Sequence, residues 1–226
     1  MFMITEKGQL SQARRNWTSR LRGLKIDSDN LRKYGVNAPQ YAELLWVGTK
    51  DVECGLKKWS SKQSAQVVDD WPVDLVRPLR EWKAIGCCLQ HWQTRMSWEE
   101  TGLIDQMMSW IREKGKVDRL SSHEEVLQRY QQLDHLYEIV LAEQKLRTRK
   151  ELVAGNFREE GGILVHLGPD GRPYFGGKGN HRLAIAIAAG LEYFPAQLGV
   201  VHVSALNSLS RYRNCPVLPS IPIDGK

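Results

Sequence analysis

The sequence has no apolar run long enough to span a bilayer: the longest, 183–191, has nine residues including Gly190, where roughly 20 are needed. No transmembrane segment is therefore expected. The first residues, Met1-Phe2-Met3-Ile4-Thr5-Glu6-Lys7-Gly8, turn polar after Ile4, too soon for the apolar core of a secretory leader. Cysteine is sparse. Its four copies (Cys54, Cys87, Cys88, Cys215) form no CxxC pair and carry no His at zinc-finger spacing, and adjacent cysteines such as Cys87 and Cys88 are poorly placed for an ordinary disulfide. A reduced, cytoplasmic setting is the expectation. Internal repeats and low-complexity tracts are missing, and tryptophan is missing after Trp110. With 42% hydrophobic and 26% charged residues, the chain reads as an ordinary globular one and not as disordered or collagenous.

The formal net charge of +6 over 226 residues invites a nucleic-acid reading. Residues 1–33, however, hold eight basic and three acidic groups, a net of +5. The remaining chain is nearly neutral. Within that segment Leu10, Ala13, Trp17, Leu21 and Leu24 recur at helical steps, with Arg14, Arg15, Arg20, Arg22 and Lys25 largely off the stripe. This predicts a basic amphipathic helix. It can serve as contact for an anionic membrane surface or nucleic acid, or it can pack its stripe on its own domain with a solvated basic face; packing is the expectation.

Further along, Leu44-Leu45-Trp46-Val47 predicts a short buried strand, and helical patterning runs from about residue 74 to 150. Ser97–Glu100 and Ser122–Glu125 read as capping boxes, in which hydroxyl and carboxylate satisfy first-turn amides. Val126, Tyr130, Leu133, Tyr137 and Val140 form a packing seam after the second of them. The last third changes period. Strand 163–167, the turn Gly168-Pro169-Asp170-Gly171 and a returning strand at 172–175 predict a hairpin. Then come Gly176-Gly177-Lys178-Gly179-Asn180-His181-Arg182, an Ala/Ile helix stopped at Gly190, and a closing strand at 195–203.

A glycine-rich turn from strand into helix brings free amides and the positive helix end to one point, a ready anion site. Lys178, His181 and Arg182 add donors there, which suits nucleotide phosphates. The alternative is a structural turn in which glycine serves positive φ and His181 caps the helix. The spacing fits neither a P-loop nor a dinucleotide fingerprint.

Gly179-Asn180-His181-Arg182 after Tyr174-Phe175-Gly176-Gly177, followed by the Ala-rich helix, Gly190-Leu191, Pro195 and a final strand, resembles the core of the ParB/sulfiredoxin superfamily. The likeness covers about residues 161–204. The chain is also similar to a group of bacterial and archaeal proteins with a W-x-E-T helix start and a C-terminal G-x-H-R-L-A-I-A segment, some of them encoded among glycan-synthesis genes. The resemblance implies that Gly176–Arg182 bind nucleotide phosphates, as ATP is bound in sulfiredoxin and ParB-like small-molecule kinases and CTP in chromosome-partitioning ParB. It implies Mg²⁺ alongside ATP, and a proton-accepting acid near the end of the early strand, Glu53 first and Asp51 second. Asn180 stands where sulfiredoxin has its nucleophilic cysteine, so sulfinic-acid reduction is not expected. With 23 residues after Val203, a partitioning-ParB DNA clamp, which carries a downstream helix-turn-helix and dimer domain, is not expected.

The expected fold is thus α+β, a small ParB/sulfiredoxin-like mixed-sheet core with a large helical lobe. Its parts are a basic N-terminal segment (1–40), the early strand (41–60), an inserted helical lobe (61–155), the core with its phosphate loop (156–204) and a tail (205–226). The expected function is an ATP-dependent phosphotransferase acting on a small hydroxylated metabolite or glycan precursor, with Glu53, Asp51 and His181 as catalytic candidates and His202 lining the site. The alternatives are a non-catalytic nucleotide-responsive or DNA-binding module, or a ParB-like nuclease, for which Glu159, Glu160, Asp170 and Glu192 are the only acids of the C-terminal core.

Overall fold

The computed structural model describes residues 6–215, without the side chains of residues 6–12 and 15. The expected stripe member Leu10, the off-stripe Arg15, and the tail from Pro216 onward lie outside the described side chains or residues. Short segments, several of them rich in β-branched or aromatic residues, give β1 (Leu44–Gly48), β2 (Cys54–Leu56), β3 (Val67–Val68), β4 (Val76–Pro78), β5 (Ile163–Leu167), β6 (Pro173–Phe175) and β7 (Tyr193–His202). They join in one mixed sheet of order β1-β7-β5-β6-β2-β4. The two parallel pairs that matter for the site are β5 with β7 and β2 with β6, the latter registered by Gly55 opposite Phe175. β7 is the spine. One of its edges is shared by β1, antiparallel along Tyr193–Gln197, and β3, parallel at Val201 and His202. Its residues 194–201 are all buried, which explains why this strand is mostly apolar, interrupted only by the buried Gln197, and does not alternate.

The helices are α1 (Glu6–Tyr34), α2 (Lys83–Thr94), α3 (Leu103–Lys114), α4 (His123–Glu143), the single turn α5 (Arg149–Leu152), α6 (Asn180–Ala188) and the short α7 (Ser210–Arg213). This is an α+β protein, with strand and helix largely segregated along the chain. α6 is buried between the sheet and α2, its Leu183, Ala184, Ile185 and Ala186 fully enclosed, and α4 packs beside it. The α4 seam lies in the core as its spacing predicts, with Val126, Tyr130, Leu133 and Val140 buried and Tyr137 packed against them. Ser122 accepts from Glu125 N–H while the Glu125 carboxylate accepts from Ser122 N–H, completing the cap.

Several expectations require correction. Ser97 and Glu100 do exchange hydrogen bonds, but they close a separate turn; α3 starts only after Gly102, at φ +70°. Helical structure does not begin at residue 74, because Val76–Pro78 pairs with Cys54–Leu56 as a strand. The N-terminal helix forms but faces the other way. It docks on the body through Ser19, Gly23, Ile26 and Asn30, with Asn16 donating to the Gly155 carbonyl at 2.8 Å and Asn30 to the carbonyls of Pro39 and Ala65. Trp17, Leu21 and Leu24, the expected packing stripe, are exposed. Small and polar residues allow closer helix approach than leucines. A Cβ on Gly23 would sit 2.8 Å from the Phe157 ring.

Candidate functional site

The loop joining β6 to α6 is clamped onto β5: Gly176 donates to the Leu164 carbonyl at 2.7 Å and Leu164 N–H to the Lys178 carbonyl at 3.0 Å. Gly179 then occupies φ +89°, and a Cβ there would approach Ile163 Cα to 2.9 Å. Only glycine meets both demands. No side chain caps α6, so its first amides and the positive end of its dipole are presented to whatever adjoins them.

What adjoins them is a cleft of roughly 1220 Å³ between α4, the 117–120 turn, Arg149 and the start of α6. Gly179, Asn180, His181 and Arg182 line it. Arg119, Arg129 and Arg149 line it too, with Asp118 as the only lining carboxylate among the described residues. With its four arginines, the cleft is strongly cationic. Gln128, Gln131 and Gln132 along α4 add neutral donors and acceptors.

Two clusters flank the helix start. In the first, Arg182 donates to the Arg147 carbonyl and lies beside the Glu159 carboxylate. Burial pulls its guanidinium down to about 10, against the pull of Glu159 in the other direction, so it stays cationic at neutral pH. Its Nη1 is buried without a hydrogen-bond partner among the described residues. Glu159 is itself 1% exposed and accepts Arg149 N–H at 2.8 and 3.0 Å; burial raises its pKa despite the neighbouring arginines.

The second cluster is His181 with Arg129 and Asp118. Burial, reinforced by Arg129, pulls the imidazole down to about 4, with Asp118 opposing. His181 is therefore neutral at physiological pH, packed edge-on to Tyr130 at 6.0 Å. Asp118 and Arg119 sit at the tip of a two-residue turn closed by Val117 N–H to Leu120 O at 3.0 Å and the reverse bond at 2.8 Å. Both tip residues have positive φ, +49° and +73°. That turn ordinarily takes Asn-Gly, and each non-glycine residue held there costs about 1–3 kcal/mol. The turn places one acidic and one cationic side chain at the cleft.

The expected site is divided by the fold. Gly179 to Arg182 come together at the cleft. Gly176 packs against Leu164 and His166, Gly177 against Lys57 and Trp82, and Lys178 Nζ is directed to Ser61 Oγ at 3.0 Å; these three do not line it. Asp51 and Glu53 line a different, smaller cleft of roughly 400 Å³ with Lys50, Asp170, Arg172 and Arg211. The reason is strand direction. β2 runs parallel to β6, so Glu53 lies beside the beginning of β6 while the glycine loop leaves its end. His202 lies half-exposed on the β3 side, with Nε2 3.1 Å from the Asp69 carbonyl and Nδ1 2.8 Å from Ser204 Oγ. Nothing in the sequence marks Arg119, Arg129 or Arg149 as partners of residue 182. They arrive from other elements, and no local motif joins them.

Fold and cleft together define an α+β protein with an arginine-lined cleft at a strand-to-helix corner. Compared with protein-family models, curated proteins and solved structures, the chain matches none. Among the described residues, no group of three or more His, Cys, Asp or Glu side chains is arranged to hold a metal ion.

Proposed function

We propose that this cleft binds the phosphates of a nucleotide, ATP first, and that the protein transfers a phosphoryl group to a small hydroxylated metabolite or glycan precursor. The observation that carries the reading is the meeting of an uncapped helix N-terminus with four arginines on one cleft. Phosphoryl transfer asks mainly for positioning and charge neutralisation. Arg119, Arg129, Arg149 and Arg182 all line the cleft at the helix start. The ParB/sulfiredoxin-like likeness of residues 161–204 points to the same corner.

In the proposed reaction the substrate hydroxyl oxygen bonds to the γ-phosphorus, the bond to the ADP oxygen breaks, and the hydroxyl proton passes to a carboxylate. Asp118 takes that role in place of Glu53 and Asp51, because it alone among the acids lines the cleft. Mg²⁺ would enter with the nucleotide, held by phosphate oxygens and water, since the lining offers one carboxylate. For residues 1–33, contact with an anionic membrane surface or nucleic acid is proposed as a separate property.

Thermal-shift titration tests the binding step. Mg-ATP, Mg-CTP or pyrophosphate should stabilise the protein, by about 2.7 kcal/mol at a hundredfold excess over Kd. Arg119→Gln with Arg129→Gln, both exposed positions, should weaken that binding by a factor on the order of ten or more. Asp118→Asn should leave nucleotide affinity within about threefold while abolishing transfer to a hydroxylated acceptor. If none of the three ligands stabilises the protein, the reading falls; if they bind and no acceptor panel is phosphorylated, a nucleotide-responsive module replaces the enzyme.

A further inference from the structure

The orientation of α1 leaves a surface that the fold does not use. Trp17, Leu21, Leu24 and Leu31 are 64%, 51%, 71% and 54% exposed. At 3.6 residues per turn these four fall within an arc of about 80°, on the side of the helix opposite the buried Ser19, Gly23 and Asn30. Val36, 86% exposed, extends the strip just beyond the helix end. Isolated surface leucines mean little, but a continuous apolar stripe does.

Cations border it. Arg20 lies along one edge, Arg14 and Lys25 along the other, all exposed and without an ion pair among the described residues. The only exposed acid on this helix whose side chain is described is Asp29, and Arg32 neutralises it at 2.9 Å. Asp27 is drawn into the body by Arg158 at 2.7 Å. The outward face is therefore an apolar stripe between basic margins, with an aromatic residue toward one end.

Three occupants can be compared on that chemistry. A nucleic acid would use the arginines and leave the leucines in water. A second copy of α1 would cover the leucines but bring two basic margins together. An anionic bilayer surface uses both parts: the leucines and Trp17 reach the acyl boundary while the cations meet headgroups. We propose that α1 docks this protein on an anionic lipid surface, lying in the plane of the interface with Trp17, Leu21, Leu24 and Leu31 inserted and Arg14, Arg20 and Lys25 on headgroup phosphates. This rests on residues 1–33 as an anionic-surface contact and is independent of the cleft. Because the stripe is opposite the docked face, α1 can bind lipid without leaving the body.

The test is co-sedimentation of the full chain with vesicles of phosphatidylcholine alone or mixed with phosphatidylserine. Binding should be at least about tenfold tighter to the mixed vesicles and should weaken with salt. Leu21→Glu with Leu24→Glu should reduce it a further tenfold or so with the urea midpoint and ATP binding unchanged. Arg14→Gln, Arg20→Gln and Lys25→Gln together should remove the preference for phosphatidylserine. Equal binding to both vesicles, or binding untouched by the leucine changes, would overturn the proposal. So would duplex-DNA binding that persists in the Leu21→Glu, Leu24→Glu variant without any vesicle binding, or a dimer in sedimentation that the same variant dissolves. A failure of nucleotide binding alone leaves this inference standing.

Discussion

His166 shows how a single residue constrains its surroundings. Its side chain is fully buried in β5, its Nδ1 accepts Val200 N–H at 2.9 Å, and its ring stands edge-on to Trp59. An imidazole that accepts at Nδ1 is neutral with its proton on Nε2. Room for it comes from two glycines: a Cβ on Gly199 would sit 2.1 Å from Nδ1, and one on Gly176 would sit 2.8 Å from Nε2. Gly199→Ala must therefore displace the ring and break the Val200 bond, at a cost of about 2–4 kcal/mol in urea unfolding. In a His166→Ala background the same change should cost much less, because the obstructing ring is gone. Additive costs in that double-mutant cycle would refute the steric account. Gly176, expected to serve phosphate, is packed against this histidine and Leu164.

At the scale of elements, the helical lobe is organised around one carboxylate. Asp134 on α4 accepts from Trp92 Nε1 at 2.9 Å, Trp98 Nε1 at 2.9 Å and His91 Nε2 at 3.0 Å. His91 is stacked on Trp98 at 3.9 Å, and its other nitrogen meets the Met96 carbonyl at 2.6 Å. α2, the 95–102 connection and α4 are thereby tied at one point. Asp134→Ala leaves three donors without their acceptor and should cost about 2–3 kcal/mol, read from the urea midpoint, with a change in tryptophan emission. A loss below about 0.5 kcal/mol would mean that water replaces the carboxylate without penalty. Trp98 packs on Tyr130 at 4.7 Å and Tyr130 on His181 at 6.0 Å, so the tie also supports the wall behind the cleft. The seam of α4, its cap and the β5–β6 hairpin could be read from local spacing because local interactions specify them. The direction in which α1 faces could not. Periodicity shows that a leucine stripe exists, while Gly23, Ser19 and Asn30 decide that the opposite side docks.

For the molecule as a whole, buried titratable groups give stability a pH dependence. Burial pulls His166 to about 3 and His181 to about 4, both below the ordinary 6.5. Below about pH 6.5 the unfolded chain takes up protons that the folded chain refuses, so stability falls as pH drops toward the folded values. The slope is about 1.4 kcal/mol per pH unit for the fully buried His166, with half-buried His181 adding in the same direction. Glu159 acts with the opposite sign. Its pKa is raised by burial, so the folded state binds that proton more readily at acid pH and part of the loss is offset. Urea midpoints at about pH 7, 6 and 5 should decline steadily, since the histidine window opens above the carboxylate one. A flat profile across that range would show that these rings are hydrated in the native state.

The sequence by itself determined the local elements: a basic amphipathic first helix, the hairpin, the glycine corner and the apolar helix that follows it. Each is specified by neighbours a few residues apart, through turn chemistry, capping and the alternation of apolar side chains. It also marked Gly179 to Arg182 as a strand-to-helix corner where backbone amides and basic side chains are contiguous, and these four residues line one cleft. Tertiary structure alone decided which distant groups complete that corner. The parallel run of β2 beside β6 carries Asp51 and Glu53 to the far end, and the packing of α4 over α6 brings Arg129 and the Asp118–Arg119 turn to the near one. Strand direction and helix docking are set by burial across the whole core, and no window of the sequence contains them.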